Sequence, residues 1–126
     1  MGREEAISFI RDTLGCHCPD SVLHTVSFET RGDPDVLFSL VDRWGGGAAG
    51  EVEEALLVGG RLLILVCSGL RVTDAAAVLH AGVTLRDRQG FHRLRLVLRG
   101  GRLSEETRRA LLSPFDDRVH IHQVSP

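Results

Sequence analysis

Two of the three cysteines and one histidine of this 126-residue chain fall within the segment Gly15-Cys16-His17-Cys18-Pro19. A thiol grips a metal or attacks an electrophile only as thiolate, which the amide end of a helix favours and the carbonyl end disfavours. Cys16 follows the end of a first helix, whereas Cys18 precedes Pro19-Asp20, a pattern that opens a new helical turn. Cys18 is therefore the better thiolate candidate. One intervening residue permits a strained disulfide, a redox cycle or a two-thiolate grip on zinc or iron. Zinc needs two more ligands, for which Cys67, His17, His24, His120 and His122 are present. Residue order does not choose among them, nor between these chemistries and plain packing at a helix junction.

A second candidate site comes from two loops that each combine glycine, arginine and a helix-capping hydroxyl. They are Cys67-Ser68-Gly69-Leu70-Arg71-Val72-Thr73 and Arg99-Gly100-Gly101-Arg102-Leu103-Ser104. Where such loops follow parallel strands, they line a crevice at the strands' carboxyl ends into which helix N-termini point, suited to phosphate or carboxylate. If the two strands are neighbours, Ser68, Gly69, Arg71, Thr73, Gly100, Gly101, Arg102 and Ser104 form one anion site. Such loops are also routine connectors. His120 and His122 share one face of a terminal strand, where they could hold a metal or simply face solvent. Arg93 and Arg95 lie on the strand face opposite Leu94, Leu96 and Leu98, which predicts half-burial with carboxylate partners.

The elements that position these residues are read from hydrophobic period and end signals. Ala6, Ile7, Ile10 and Leu14 share a helical face over Glu4 to Leu14, with Gly15 as the stop. Pro19 to Leu23 reads as one short turn, Thr25 to Thr30 as a strand, and Asp33 to Val41 as a helix ended by Gly45-Gly46-Gly47. Gly59-Gly60 supplies the positive φ angles of a tight hairpin between Glu54 to Val58 and Arg61 to Ser68. Leu62 to Val66 lacks polar alternation, the mark of a strand covered on both faces. Thr73 is expected to cap a helix running to Gln89 and ended by Gly90, with Gly82 as an interior weak point. A strand over Phe91 to Leu98, a helix from Ser104 to before Pro114, and a strand over Arg118 to Val124 complete the chain.

This alternation predicts an α/β fold, one compact domain over residues 1 to 126. A mixed sheet of about five strands is expected: N-terminal helix, antiparallel hairpin, then strand-helix-strand-helix-strand, with helices packed on the sheet. Length and 43% hydrophobic content suit a single core. The charged start and the shortness of the apolar run Leu62 to Cys67 argue against a signal peptide or membrane span, and three cysteines against a disulfide framework, so a cytoplasmic protein is expected. All 15 basic residues are arginine, and Lys, Asn and Tyr are absent. Residues 1 to 60 hold 4 Arg and 11 Asp/Glu, and residues 61 to 126 hold 11 Arg and 6 Asp/Glu. The halves thus carry −7 and +5 and can neutralise each other. The slightly acidic total and the lack of interleaved aromatics around Arg86, Arg88, Arg93, Arg95, Arg99 and Arg102 argue against nucleic acid.

Thr13-Leu14-Gly15-Cys16-His17-Cys18-Pro19-Asp20 resembles small uncharacterised prokaryotic proteins that share a Leu-Gly-Cys-x-Cys-Pro signature. The resemblance implies a stand-alone small domain and no catalytic role. Cys67 precedes Arg71 at too short a spacing for the phosphate loop of cysteine phosphatases. Three functions follow as expectations. The first is a binding or accessory protein with a metal or thiol site at Cys16 and Cys18, joined by Cys67 or His17. The second is a module or enzyme that binds an anionic small molecule at the strand-end loops. The third is an oligomerising subunit, with a protein partner or its own copy and no site.

Overall fold

The computed structural model describes residues 3–15, 18–30, 52–69, 71–100 and 102–124. The helix expected over Asp33 to Val41 lies outside them. Helix α1 spans Arg3–Ser8 and continues as a π-helical turn over Phe9–Thr13, so the first helix is not the uniform α-helix expected over Glu4 to Leu14. The wider turn still brings Ile10 and Leu14 inward with Ala6 and Ile7, and Gly15 closes it at φ +67°. Helix α2 is the single turn Asp20–Leu23, with Pro19 at its N-cap rather than inside it.

Strands β1 (Ser27–Thr30), β2 (Glu54–Val58), β3 (Leu62–Ser68), β4 (Arg93–Arg99) and β5 (Val119–Val124) form one mixed sheet in the order β1-β2-β3-β4-β5. The first two pairings are antiparallel and the last two parallel. Helix α3 (Val72–Gln89) crosses from β3 to β4, and α4 (Glu105–Leu112) from β4 to β5. The hairpin turn is the expected one, with Gly59 at φ +53° and Gly60 at φ +69°. A side chain at Gly59 would also collide with Val22 Cγ1 at 2.9 Å and Thr25 Oγ1 at 3.0 Å, so α2 and the turn after it rest on the hairpin.

Every residue from Leu62 to Cys67 is buried. Alternate side chains serve two cores. Leu63, Leu65 and Cys67 join Leu94, Leu96, Leu98 and the inner face of α3, with Leu111 and Leu112 of α4 packed against them. Leu62, Ile64 and Val66 join Ile7, Ile10, Leu14 and Leu23 from the N-terminal helices on the other face. Both long crossover helices therefore lie on one face of the sheet, and the short N-terminal segment covers the other.

Helix α3 begins differently from the expectation. Its N-cap is Arg71, whose extended backbone opens the helix without a side-chain cap, and Thr73 is an exposed residue within the first turn. Its end is as expected: Gly90 takes the left-handed conformation at φ 77°. Gly82, an interior weak point by propensity, is where the helix comes closest to the sheet, since an added Cβ would meet Leu65 and Leu94 side chains at 3.0 Å. In α4 the Ser104 hydroxyl accepts from the Thr107 amide at 3.1 Å, the cap its sequence announces.

Among the described residues one charged side chain lies in this interior. Arg86 of α3 is 3% exposed and donates to both oxygens of Asp116, at 3.1 and 2.7 Å, and to Asp87 at 3.0 Å. Asp116 sits in the loop before β5 and also accepts from the Arg118 amide at 2.9 Å. Chiefly the Arg86 hydrogen bonds hold its carboxyl down to about 2. A carboxylate depressed in the folded state contributes stability that is complete above its unfolded value near 4 and is lost as pH falls through the folded value.

Two predictions follow from the packing. Asp116→Asn should cost about 2 kcal/mol at neutral pH, below the range for fully buried pairs because the carboxylate is partly exposed. Urea melts should show the wild type, and not this variant, losing that increment between about pH 4 and pH 2. Gly82→Ala should lower stability by about 1 kcal/mol despite its better helix propensity, because Leu65 and Leu94 are themselves enclosed; a rise in melting temperature would contradict the tight approach.

Candidate arginine cavity

The N-terminal cover stops short of the sheet's far edge. On its side, β2 and β3 present aliphatic residues to Ile7, Ile10 and Leu23, and β4 contributes only Val97 to the buried part of that core. The rest of that face on β4 and β5 carries Arg93, Arg95, His120 and His122. Between this polar strip and residues Gly15, Cys18 and Pro19 lies a half-open cavity of about 610 Å³. Its basic wall is Arg61, His92, Arg93, Arg95 and Arg118; Gly15, Cys18, Pro19 and Leu62 make the other.

Register explains why these arginines meet. Leu94 of β4 pairs with Val119 of β5, so the residues before them, Arg93 and Arg118, are neighbours, and the Leu94 amide donates to the Arg118 carbonyl at 3.0 Å. On the other side, the amides of His92 and Arg93 both donate to the Arg61 carbonyl, at 3.0 and 2.9 Å. Arg95 follows Arg93 on the same face, about 6.6 Å further along the strand, and neighbouring strands lie about 4.8 Å apart. Like charges opposed across strands destabilise a sheet.

The carboxylate partners expected for Arg93 and Arg95 are not what the structure places beside them. Among the described residues no Asp or Glu forms an ion pair with Arg61, Arg93 or Arg95, and Arg118 reaches Asp116 only at 3.7 Å. Arg95 instead donates from Nη1 to His122 Nε2 at 2.6 Å. Its Nε is buried without a hydrogen-bond partner. Burial, with Arg95 next in weight, pushes His122 down to about 4, so the ring is neutral and accepts. His120 is lowered by the same two causes, with Arg93 adding to them. Two guanidinium groups beside these rings make this face a poor host for a metal cation.

The thiol candidates separate. Cys18 lines the cavity and packs against the N-terminal core, whereas Cys67 is wholly buried in the core on the opposite side of the sheet. Cys67 therefore stays apart from Cys18. Cys16 and His17 lie outside the described residues. Among those described, no three His, Cys, Asp or Glu side chains gather as a metal group.

The strand-end loops do become neighbours, since Ser68 pairs with Arg99 in the parallel ladder. Their groups are engaged within the fold. Ser68 donates to Glu53 at 3.0 Å, the Gly69 amide to the Arg99 carbonyl at 3.3 Å, and the Gly100 amide to the Val124 carbonyl at 3.1 Å. Arg71 pairs with Asp74 at 3.0 Å, Ser104 caps α4, and Thr73 and Arg102 are exposed. Gly101 lies outside the described residues. The basic cavity is at the opposite, amino-terminal end of the same strands. Its sequence signal was Arg61, His92-Arg93 and Arg118 each standing at the start of a strand, legible only once the strands are known to be parallel neighbours.

An NMR titration should find His122 with a midpoint near pH 4, and Arg95→Met should raise it by removing the adjacent cation. A His depressed in the folded state lowers stability as pH falls from its unfolded value near 6.5 towards 4, so that part of the acid loss should shrink in His122→Gln. No helix among the described residues is long and apolar enough to cross a membrane. Comparison of the chain with protein-family models, curated proteins and solved structures gives no match, which leaves the arginine cavity as the ground for assigning an activity.

Proposed function

We propose that the protein binds a small anionic molecule in the cavity between Gly15, Cys18 and Pro19 on one side and the arginine strip on the other. The observation that supports this reading is the convergence of Arg61, Arg93, Arg95 and Arg118 on one concave site that contains no carboxylate among its described lining residues. Guanidinium groups crowded on adjacent strands repel one another, and a bound oxyanion offsets that repulsion while accepting charge-assisted hydrogen bonds. The volume lies within the usual range for small-molecule sites. On this wall the buried Arg95 Nε is a donor without a hydrogen-bond partner.

A thiol or metal role for Cys16 and Cys18 is a separate proposal; the place of Cys18 on a cavity wall facing guanidinium groups favours its thiol form. Stoichiometric zinc or iron in protein purified without chelator would support its metal form.

Thermal melts with pyrophosphate and with citrate test the anion reading. A ligand at a hundredfold excess over its Kd stabilises the native state by about 2.7 kcal/mol, a shift of several degrees in a domain of this size. The shift should fall in high salt and be lost in the double variant Arg93→Gln/Arg95→Gln. Identical melts with and without either anion, at low salt, would overturn the assignment.

A further inference from the structure

The cavity is not uniformly basic, and its two walls differ in a way that specifies the ligand further. Resting on the anion-binding reading above, we infer that its ligand is a small organic phosphate monoester, with the phosphoryl group on the arginine wall and an apolar body against Pro19 and Cys18.

The arginine wall sets the head group. Arg93 of β4 and Arg118, just before β5, stand side by side, Arg95 stands further along β4, and Arg61 lies just before β3. The donors thus come from three chain segments rather than from a single fork. A carboxylate has two oxygens in one plane and one charge, matched by one bidentate guanidinium. A phosphate monoester carries a charge of about −1.5 to −2 at neutral pH and three terminal oxygens pointing apart. Only the latter meets donors from several directions and balances more than one guanidinium.

The opposite wall and the volume set the rest. Inorganic phosphate would occupy a small part of about 610 Å³ and leave the exposed Pro19 and half-buried Cys18 facing water. An attached organic group covers them, and a single ring-sized body is enough for about a tenfold gain in affinity. The concave shape and the lack of Phe or Trp among its described lining residues disfavour a single-stranded nucleic acid, whose bases stack on aromatic platforms.

Calorimetric titrations with phenyl phosphate, benzoate, inorganic phosphate and a short single-stranded oligonucleotide decide the matter. Phenyl phosphate should bind about tenfold or more tightly than either benzoate or inorganic phosphate. Arg95→Gln should remove about tenfold of that affinity, while Arg109→Gln, an exposed position on α4 paired with Glu105, should leave it unchanged. As a measurement independent of those variants, alkylation of Cys18 by iodoacetamide in the Cys16→Ser chain should slow several-fold with phenyl phosphate and little with inorganic phosphate. Equal affinity for the three small anions, lost in Arg95→Gln, would overturn the ligand class and keep the anion site. Tighter binding of the oligonucleotide would also overturn the class. No binding by any probe would remove both readings.

Discussion

A central strand with no polar side chain between Leu62 and Cys67 must be covered on both faces, and the rest of the molecule follows from how unequally that cover is supplied. On one face, α3 and α4 arrive as the obligatory crossovers of two parallel pairings and span β3 to β5. On the other face the only cover among the described residues comes from α1, its π-turn and the single turn of α2. That segment is long enough for β2, β3 and one valine of β4. Beyond it the sheet must carry residues that tolerate water, and β4 and β5 switch from aliphatic to arginine and histidine at the point where the cover ends.

This unequal cover makes the cavity a product of the fold's geometry rather than of one motif. Its basic wall is sheet, held by ladder hydrogen bonds, and Gly15, Cys18 and Pro19 stand on its other side. The Arg95 contact with His122 shows how one of these cations is accommodated without a counter-charge. A neutral imidazole accepts one of its protons, and burial together with the guanidinium keeps that imidazole neutral. The arrangement fixes the side chain while leaving its charge uncompensated.

Much of the scaffold was legible in the sequence. The all-apolar run of β3, the diglycine turn, Gly90 after α3 and Ser104 before α4 are local signals, and each one corresponds to the feature found. The start of α3 was misread because Thr73 is a good cap by type, whereas Arg71 holds the extended conformation. Gly82 looked like a weakness because propensity ignores what faces the helix. The site was harder to see. Cys18 was visible as a candidate, but its neighbours come from the starts of three strands separated by up to half the chain, and register alone brings them together. Carboxylates were expected beside Arg93 and Arg95 because alternation reports which face a residue occupies and is silent on what stands opposite.

The carboxylate of Asp116 ties α3 to the rim of the cavity. Through its two oxygens it grips the enclosed guanidinium of α3, and it also accepts from the backbone of Arg118 at the rim of the cavity. One corner of the cavity is thereby moored to the molecule's dry interior. A guest arriving there meets a cation whose main chain is already immobilised, so less of the entropy of ordering remains to be lost on association.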